Sequence, residues 1–557
     1  MNEQVEKILG LALAVTTVAI TPLISMDPIN PPKFFALVIF ASVLASLVFL
    51  GAKATNFKQI KLLTAISGIL LSLLLINLIA TGGNLGQKFF GVSGRNTGVL
   101  TYISLIVFMY AATVVALNSK LLKINFFIML TGSISLAYGL IQAIGIDPFD
   151  WNNPYSRVFG FLGNPNFHSS FIAMFGVATF AHGLADGQSK KLRIAYFSAT
   201  FLCLLSVIAT KSQQGLLVFG IGSVIPLIVF FRPRINRIQL FALSILGSLF
   251  GLLAILGMLQ IGPLEKLLYK ESVTYRGDYW RAGWRMATEN PLFGVGFDQY
   301  GDWYRRARDI DAVLRRGPEF TSNAAHNVLI DFAASAGFLF LVAYLLLVFV
   351  TFKAAIKIIK SEEGRNPIVV AIMAMWLAYQ AQSVISINQI GLAIWGWVLS
   401  GLIIGYSKNL EDSNLSNSGS SNKQGGRKVQ IQKSGLDFQT LLIASAFGLV
   451  GAIMSGPIMF NSITYMNALK SATQSRVVDA AYLRPEEVTR MGEVAILLSQ
   501  NKLEKEALGL TRDIVKKFPD SFEGWRYISQ LPGSTEEEKM FAKKEMKRLD
   551  PNNPDLK

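Results

Sequence analysis

The feature that most constrains this chain is a series of long apolar segments recurring from residue 8 almost to residue 460. A helix needs about twenty apolar residues to cross the hydrocarbon core of a bilayer. Segments near that length fall at 8–25, 34–50, 62–80, 98–117, 122–144, 167–183, 194–209, 215–230, 240–259, 327–352, 367–385, 390–406 and 438–460. Lipid offers no hydrogen-bond partner to a backbone amide, so runs of this length cross as helices. The expected fold is an all-α polytopic membrane protein with about 12–13 transmembrane helices, a large loop at 262–322 and a small helical C-terminal module. Composition agrees, with 16% charged residues against roughly 25% in soluble globules.

The formal net charge of +16 is spread through the links between apolar runs. Cations placed there orient helices and meet anionic head groups, which argues against nucleic acid as a partner and for membrane lipids. The single cysteine, Cys203, lies in an apolar run and forms no intrachain disulfide. One Cys and three dispersed His (His168, His182, His326) give no zinc spacing, and nothing calls for a metal or cofactor. The opening MNEQVEK carries two Glu against one Lys and leads into a first membrane helix, not a cleaved signal.

Alternate links carry the cations: Lys53/Lys58/Lys61, Lys120/Lys123, Lys190/Lys191/Arg193, Arg232/Arg234/Arg237 and Lys353/Lys357/Lys360/Arg365. The links between them hold only Lys33, Lys88 with Arg95, Arg157, and Lys211. The positive-inside rule then puts the N-terminus in the cytoplasm and the 262–322 loop outside. The expected layout is a membrane domain at 1–406, a Ser/Asn/Gly-rich cytoplasmic linker at 407–437, a further span at 438–460 and an extracytoplasmic helical module at 461–557. Within that module Leu503, Ala507, Leu510, Ile514 and Phe518 recur at helical spacing before Pro519, and Trp525 and Ile528 follow on a second helix. This stretch resembles one tetratricopeptide repeat; a plain helical hairpin packed on the membrane domain is the other reading. Either way the tail offers a surface for an envelope protein partner.

The chemistry is expected in the 262–322 loop, which holds ten Lys/Arg. Guanidinium groups match phosphate oxygens bidentately. In YRGDYWRAGWRMATENPLFGVGF, Arg276 shares a helical stripe with Trp280 and Trp284, Arg281 and Arg285 form the next stripe, and Asp278 is expected to pair with Arg276. The same residues also suit an aromatic belt at the membrane surface. The Gly294–Val295–Gly296 turn would let backbone approach a ligand. His326, with Asn327 beside it, opens the next span and is the acid–base candidate, because imidazole titrates near neutrality. Arg157 precedes a Gly163–Asn164–Pro165–Asn166 turn that would hold it in place. His168 reads as structural, and His182 falls at the cytoplasmic end of its span.

These segments (Arg157 to Asn166, RGDYWRAGWRMATENPLFGVGFDQY and AHNVLIDFAASAGFLFLVAYL) resemble the O-antigen ligase/polymerase family of bacterial membrane glycosyltransferases. The resemblance covers the membrane domain to about residue 406. It implies that extracytoplasmic arginines bind the undecaprenyl pyrophosphate of a lipid-linked glycan donor and that the His opening the post-loop helix is essential. Here those are Arg157, Arg276 and Arg281, with His326. Residues 210–215 look like the family's short outer turn, where Gln213 stands in place of an Arg and Lys211 supplies the cation. The implied reaction passes a preassembled glycan to a glycan, lipid or protein acceptor without metal. Ligase, repeat-unit polymerase and protein O-glycosylation share that chemistry. A transporter or scaffold is the alternative of another class, and it would place ionisable groups at mid-membrane, where these spans have almost none.

Overall fold

The computed structural model describes residues 2–50, 60–151, 158–231, 271–418 and 437–556, with isolated positions between 236 and 253. Among these residues the chain is all helix, with no strand. The first block comprises α1 (Asn2–Val18), α2 (Asn30–Leu50), α3 (Lys61–Ala80), α4 (Leu85–Phe90), α5 (Val99–Ala116), α6 (Leu122–Ile144), α7 (Pro165–Leu184), α8 (Lys190–Ala209) and α9 (Gln213–Phe231). The polar loop folds as α10 (Glu271–Glu289), α11 (Tyr300–Ala307) and α12 (Ile310–Arg316). Then come α13 (Val328–Lys360), α14 (Pro367–Ser383), α15 (Ile390–Ser418) and α16 (Phe438–Ser471). The tail holds α17 (Gln474–Ala481), α18 (Val488–Gln500), α19 (Glu504–Lys517), α20 (Phe522–Gln530) and α21 (Glu536–Leu549).

Among the described residues nine helices are long and apolar enough to cross a membrane. Twelve of the expected spans overlap a helix, and the thirteenth, 240–259, lies outside the described residues apart from isolated positions. Boundaries move at four helices, one of them the span expected to end at 352, which runs to Lys360. The first helix is Asn2–Val18 instead of 8–25, because Pro22 ends it and residues 22–29 turn. The helix expected to stop at 406 continues to Ser418, where Glu411 joins Lys408 and Lys357; the remainder of the linker, 419–436, lies outside the described residues. The last span does not end at 460 but at Ser471. Its 34 residues reach about 50 Å, well beyond a ~30 Å hydrocarbon core, so one rod carries the chain into the tail.

Small residues let the central helices close up. A Cβ on Gly401 or Gly405 of α15 would lie 2.1 Å from the Met109 carbonyl oxygen or 2.3 Å from that of Thr113 on α5, the close backbone packing that membrane helices use. Two lysines that read as loop charges are buried helix caps. Lys33 Nζ donates to the carbonyls of Thr17 (2.8 Å) and Ala19 (2.7 Å) at the end of α1. Lys88 Nζ donates to those of Leu78 (2.8 Å) and Thr81 (2.5 Å) at the end of α3. Each answers the unpaired carbonyls and the negative end of a helix dipole.

A break in α13 anchors the loop. Gly337 has φ 79° and ψ 173° within the helix, which frees backbone groups. The 291–296 turn takes them up: Val295 N donates to Ala334 O (2.8 Å), Gly296 N to Ser335 O (3.0 Å), and Phe338 N to Pro291 O (2.8 Å). Both glycines at the contact are obligatory, since a Cβ on Gly294 would meet Ala334 O at 2.4 Å and one on Gly337 would meet Leu292 O at 2.3 Å. Asn77 of α3 adds bonds to Phe293 O (2.5 Å) and Ser335 O (3.0 Å). The Gly-Val-Gly turn expected to approach a ligand therefore approaches the chain's own broken helix.

Candidate active site

His326 stands just before α13, held in a left-handed conformation (φ 54°). Its neighbours fix it there. Asn327 is the N-cap of α13, its Oδ1 accepting from Leu329 N (3.0 Å) and Ile330 N (3.2 Å). Asp331, one turn in, accepts from Ala325 N (2.7 Å). Backbone donors on both sides of His326 are thus tied to the start of the helix, and the anchored turn at Gly337 holds that helix against the loop.

α10 delivers the partners. Tyr279, Ala282 and Met286 face inward at helical spacing. The Tyr279 ring lies 5.5 Å from the His326 ring, tilted by 30°. Tyr279 is itself held, its carbonyl accepting from Tyr300 OH (2.6 Å) and its hydroxyl from Arg316. Arg276 sits one turn earlier. Burial, then the charges of Arg276 and Arg95, bring the His326 pKa down to about 3, so the imidazole is neutral at physiological pH. Burial also lowers the Arg276 pKa, opposed only by Tyr279. Among the described residues no carboxylate pairs with Arg276. A partly buried guanidinium without a counter-ion is suited to an anionic ligand.

Arg95 was counted at the sequence level only as a link charge. It reaches the same place, donating to Asn323 O and lying 3.8 Å from Asp298. Asp298 is steadied by Val92 N (2.9 Å), Thr97 N (3.1 Å) and Thr97 Oγ1 (2.9 Å). Arg95 and His326 open onto a cavity of about 660 Å³ that also takes in Asn164, Asn388 and Gln389. The Asn164 turn forms as expected, with Gly163 left-handed (φ 73°) and Asn164 capping α7 through Asn166 N (2.9 Å).

Other expected site residues go elsewhere. Arg157 lies outside the described residues. Lys211, exposed in the α8–α9 turn, is absent from the cavity wall. Arg281 is paired with Asp278 (2.6 Å) and Asp309 (2.7 Å). Asp278 also takes Arg315 (2.6 Å), and not Arg276 as expected, because residues two apart on a helix face different ways while those three apart meet. Trp280 is half-buried against the tyrosine cluster and with Arg281, Trp284 and Arg285 lines a separate open groove. His168 is fully buried, its ring filling the space that a Cβ on Gly139 or Gly160 would occupy.

Three loop cations face the tail. Arg305 pairs with Glu523 (2.9 Å) and Asp550 (3.3 Å), Arg308 with Asp550 (2.5 Å), and Arg306 with Asp520 (2.6 Å). Loop and tail therefore sit together at one end of the helix bundle. Four tail residues, Glu487, Thr489, Arg490 and Glu493, line the same cavity as His326, a contribution with no signal in the sequence.

Residues 198–345 match the family model described as O-Antigen ligase. The match takes in α10–α12, Arg276 and His326 and stops short of α14–α16 and the tail. No curated protein matches the chain.

Proposed function

We propose that this chain, whose residues 198–345 are an O-antigen ligase domain, transfers a preassembled glycan from an undecaprenyl-pyrophosphate donor to an acceptor hydroxyl on the extracytoplasmic face of the inner membrane. The observation that carries the reading is His326, its ring against Tyr279, within electrostatic reach of Arg276, a cation lacking a carboxylate among the described residues. Arg276 and Arg95 neutralise the pyrophosphate, joined by Arg157 on the strength of the family resemblance. The acceptor oxygen attacks the anomeric carbon. The bond to the pyrophosphate oxygen breaks with its electron pair, and the hydroxyl proton passes to His326. An unliganded His326 is a weak base, first because it is buried and then because the charges of Arg276 and Arg95 press on it. A bound polyanion offsets the charge part of that effect, so donor binding raises the basicity of His326.

Repeat-unit polymerisation is the second reading, since its chemistry is the same. The tail supports a tetratricopeptide-like description through two successive hairpins, α18–α19 and α20–α21, whose first helices start at Val488 and Phe522, the repeat length of about 34 residues typical of that motif.

The test is the full-length protein reconstituted in bilayers with lipid-linked glycan. A single transfer to added acceptor marks a ligase, and a product ladder marks a polymerase. His326→Ala should lower turnover about 10²–10⁴-fold with donor affinity and melting temperature held. Normal turnover in an intact fold removes His326 from the mechanism.

A further inference from the structure

The cavity at His326 is not closed by the membrane domain alone. Ile458, Asn461 and Tyr465 of α16 line it, together with Glu487, Thr489, Arg490 and Glu493 of the tail. This wall is fixed in place. Tyr465 OH donates to Glu493 (2.9 Å), Asn461 Nδ2 to Arg484 O (2.8 Å), and Ser462 binds Met26 N (3.1 Å) and Asp27 N (3.0 Å) in the α1–α2 turn.

The lining has a distinct chemistry. Seven carboxamides open onto it: Asn30, Asn96, Asn164, Asn323, Asn388, Gln389 and Asn461. Gln389 is only 5% exposed, and both its amide oxygen and its amide nitrogen lack a hydrogen-bond partner among the described residues. Asn96 Oδ1 and Arg490 Nε are likewise buried and unpaired. Buried polar atoms left without partners cost about 1–3 kcal/mol each, so a ligand that satisfies them is favoured. A carboxamide donates and accepts, as a sugar hydroxyl does. Ile29, Leu162 and Phe167 in the same wall suit the C–H faces of a pyranose. A peptide would instead call for a free strand edge or an apolar groove for a helix.

We infer that the tail is part of the transfer site: Thr489, Arg490 and Glu493, with Gln389 and Asn164 of the membrane domain, bind the sugar of a carbohydrate acceptor. This rests on the transfer reading above. It makes the site composite, half from the membrane helices and half from a module outside the ligase domain, and it assigns the acceptor hydroxyl to a glycan and not to a protein side chain.

The experiment uses the full-length chain in nanodiscs. The probes are the donor's own glycan, released from its lipid by mild acid, and a Ser/Thr-rich peptide. Thr489→Trp fills the cavity from an exposed position, and Gln389→Leu removes the two unpaired amide atoms at nearly constant volume. Wild type should bind the released glycan. Each variant should weaken that binding at least about tenfold, with affinity for the lipid-linked donor and melting temperature unchanged. Equal glycan binding by wild type and both variants overturns the assignment. So does a wild type that binds the peptide and not the glycan, or binds neither. Arg276→Ala separates the two levels: if it retains full transfer, the transfer reading itself falls. If it loses transfer while Thr489→Trp binds glycan normally, only the acceptor site falls.

Discussion

Arg308 and Arg276 belong to the same polar loop, yet their surroundings are opposite. Arg308 is 1% exposed, and its guanidinium is fully answered by Asp550 and by the carbonyls of Pro318 and Phe320. Arg276 is also substantially buried, but among the described residues no carboxylate meets it, and its charge acts on the His326 imidazole. A cation with every donor satisfied holds a structure together, while one with its charge unanswered holds a place for a ligand. The described cations of this one loop thus divide between joining the tail, bonding within the loop and awaiting an anion, and composition alone does not show the division.

The comparison breaks first at its structural half. Asp550→Ala leaves Arg305 and Arg308 buried without their shared carboxylate, and that kind of loss costs about 3–5 kcal/mol. The expected outcome is a clear fall in melting temperature of the purified protein, with faster proteolysis between α12 and the tail. An unchanged melting curve would show that the tail is not joined to the loop through these pairs.

At the other half, Arg276→Ala should lower transfer about 10²–10³-fold, the usual cost of removing one preorganised charge-stabilising donor, with stability intact. Arg276→Lys should recover little, because a point charge lacks the bidentate fork. Donor-binding and turnover measurements on one preparation decide this, and near-normal turnover in Arg276→Ala would erase the distinction between the two arginines.

Arg281 sharpens it. The family resemblance places this residue at the pyrophosphate, whereas its side chain is 53% exposed and shared between Asp278 and Asp309. Asp278 is buried but keeps Arg315 as a partner, and an exposed cation contributes about 0–1 kcal/mol through such pairs, so Arg281→Ala should change turnover by no more than roughly threefold. A loss as deep as that of Arg276→Ala would mean that donor binding pulls Arg281 from its carboxylates.

What the sequence made legible follows the range of the forces involved. Spans are local and nearly one-dimensional, and so the apolar runs locate all the helices that can be compared, with ends that run on by up to about three turns. His326 and Asn327 were legible because a capping Asn before an apolar run announces a helix entrance. Asp278 was assigned to the wrong arginine although the three-residue spacing to Arg281 was there to be read. Other partners are joined only by folding: Arg305 and Arg308 to Asp550, Asn77 to Phe293 and Ser335, and Gly294 to the break at Gly337. A lysine such as Lys88 looks the same in sequence whether it faces a head group or caps α3, and no local pattern separates the two. Arg95 entered the site by the same route, through a fold that brings residue 95 to Asn323.

The smallest effect tests the balance of charge where the loop meets the tail. Asp302 of α11 accepts from Gln87 Nε2 (2.8 Å), and its pKa is raised to about 6, chiefly by burial, with Arg306 opposing and Asp520 and Asp298 adding. Between about pH 4, where an unfolded Asp titrates, and about 6, the folded chain therefore holds more protons at this site than the unfolded chain. Stability falls as pH rises through that window and the deficit is constant above it. Asp302→Asn keeps an oxygen for Gln87 and removes the charge. The variant should melt with wild type at pH 4 and pull ahead as pH climbs to 6, by no more than roughly 2 °C, then run parallel to pH 8. A gap of the same size at every pH would trace to packing and not to charge. A gap of opposite sign would show that Arg306 holds Asp302 as a carboxylate, which would extend the fully answered half of the loop one helix closer to His326.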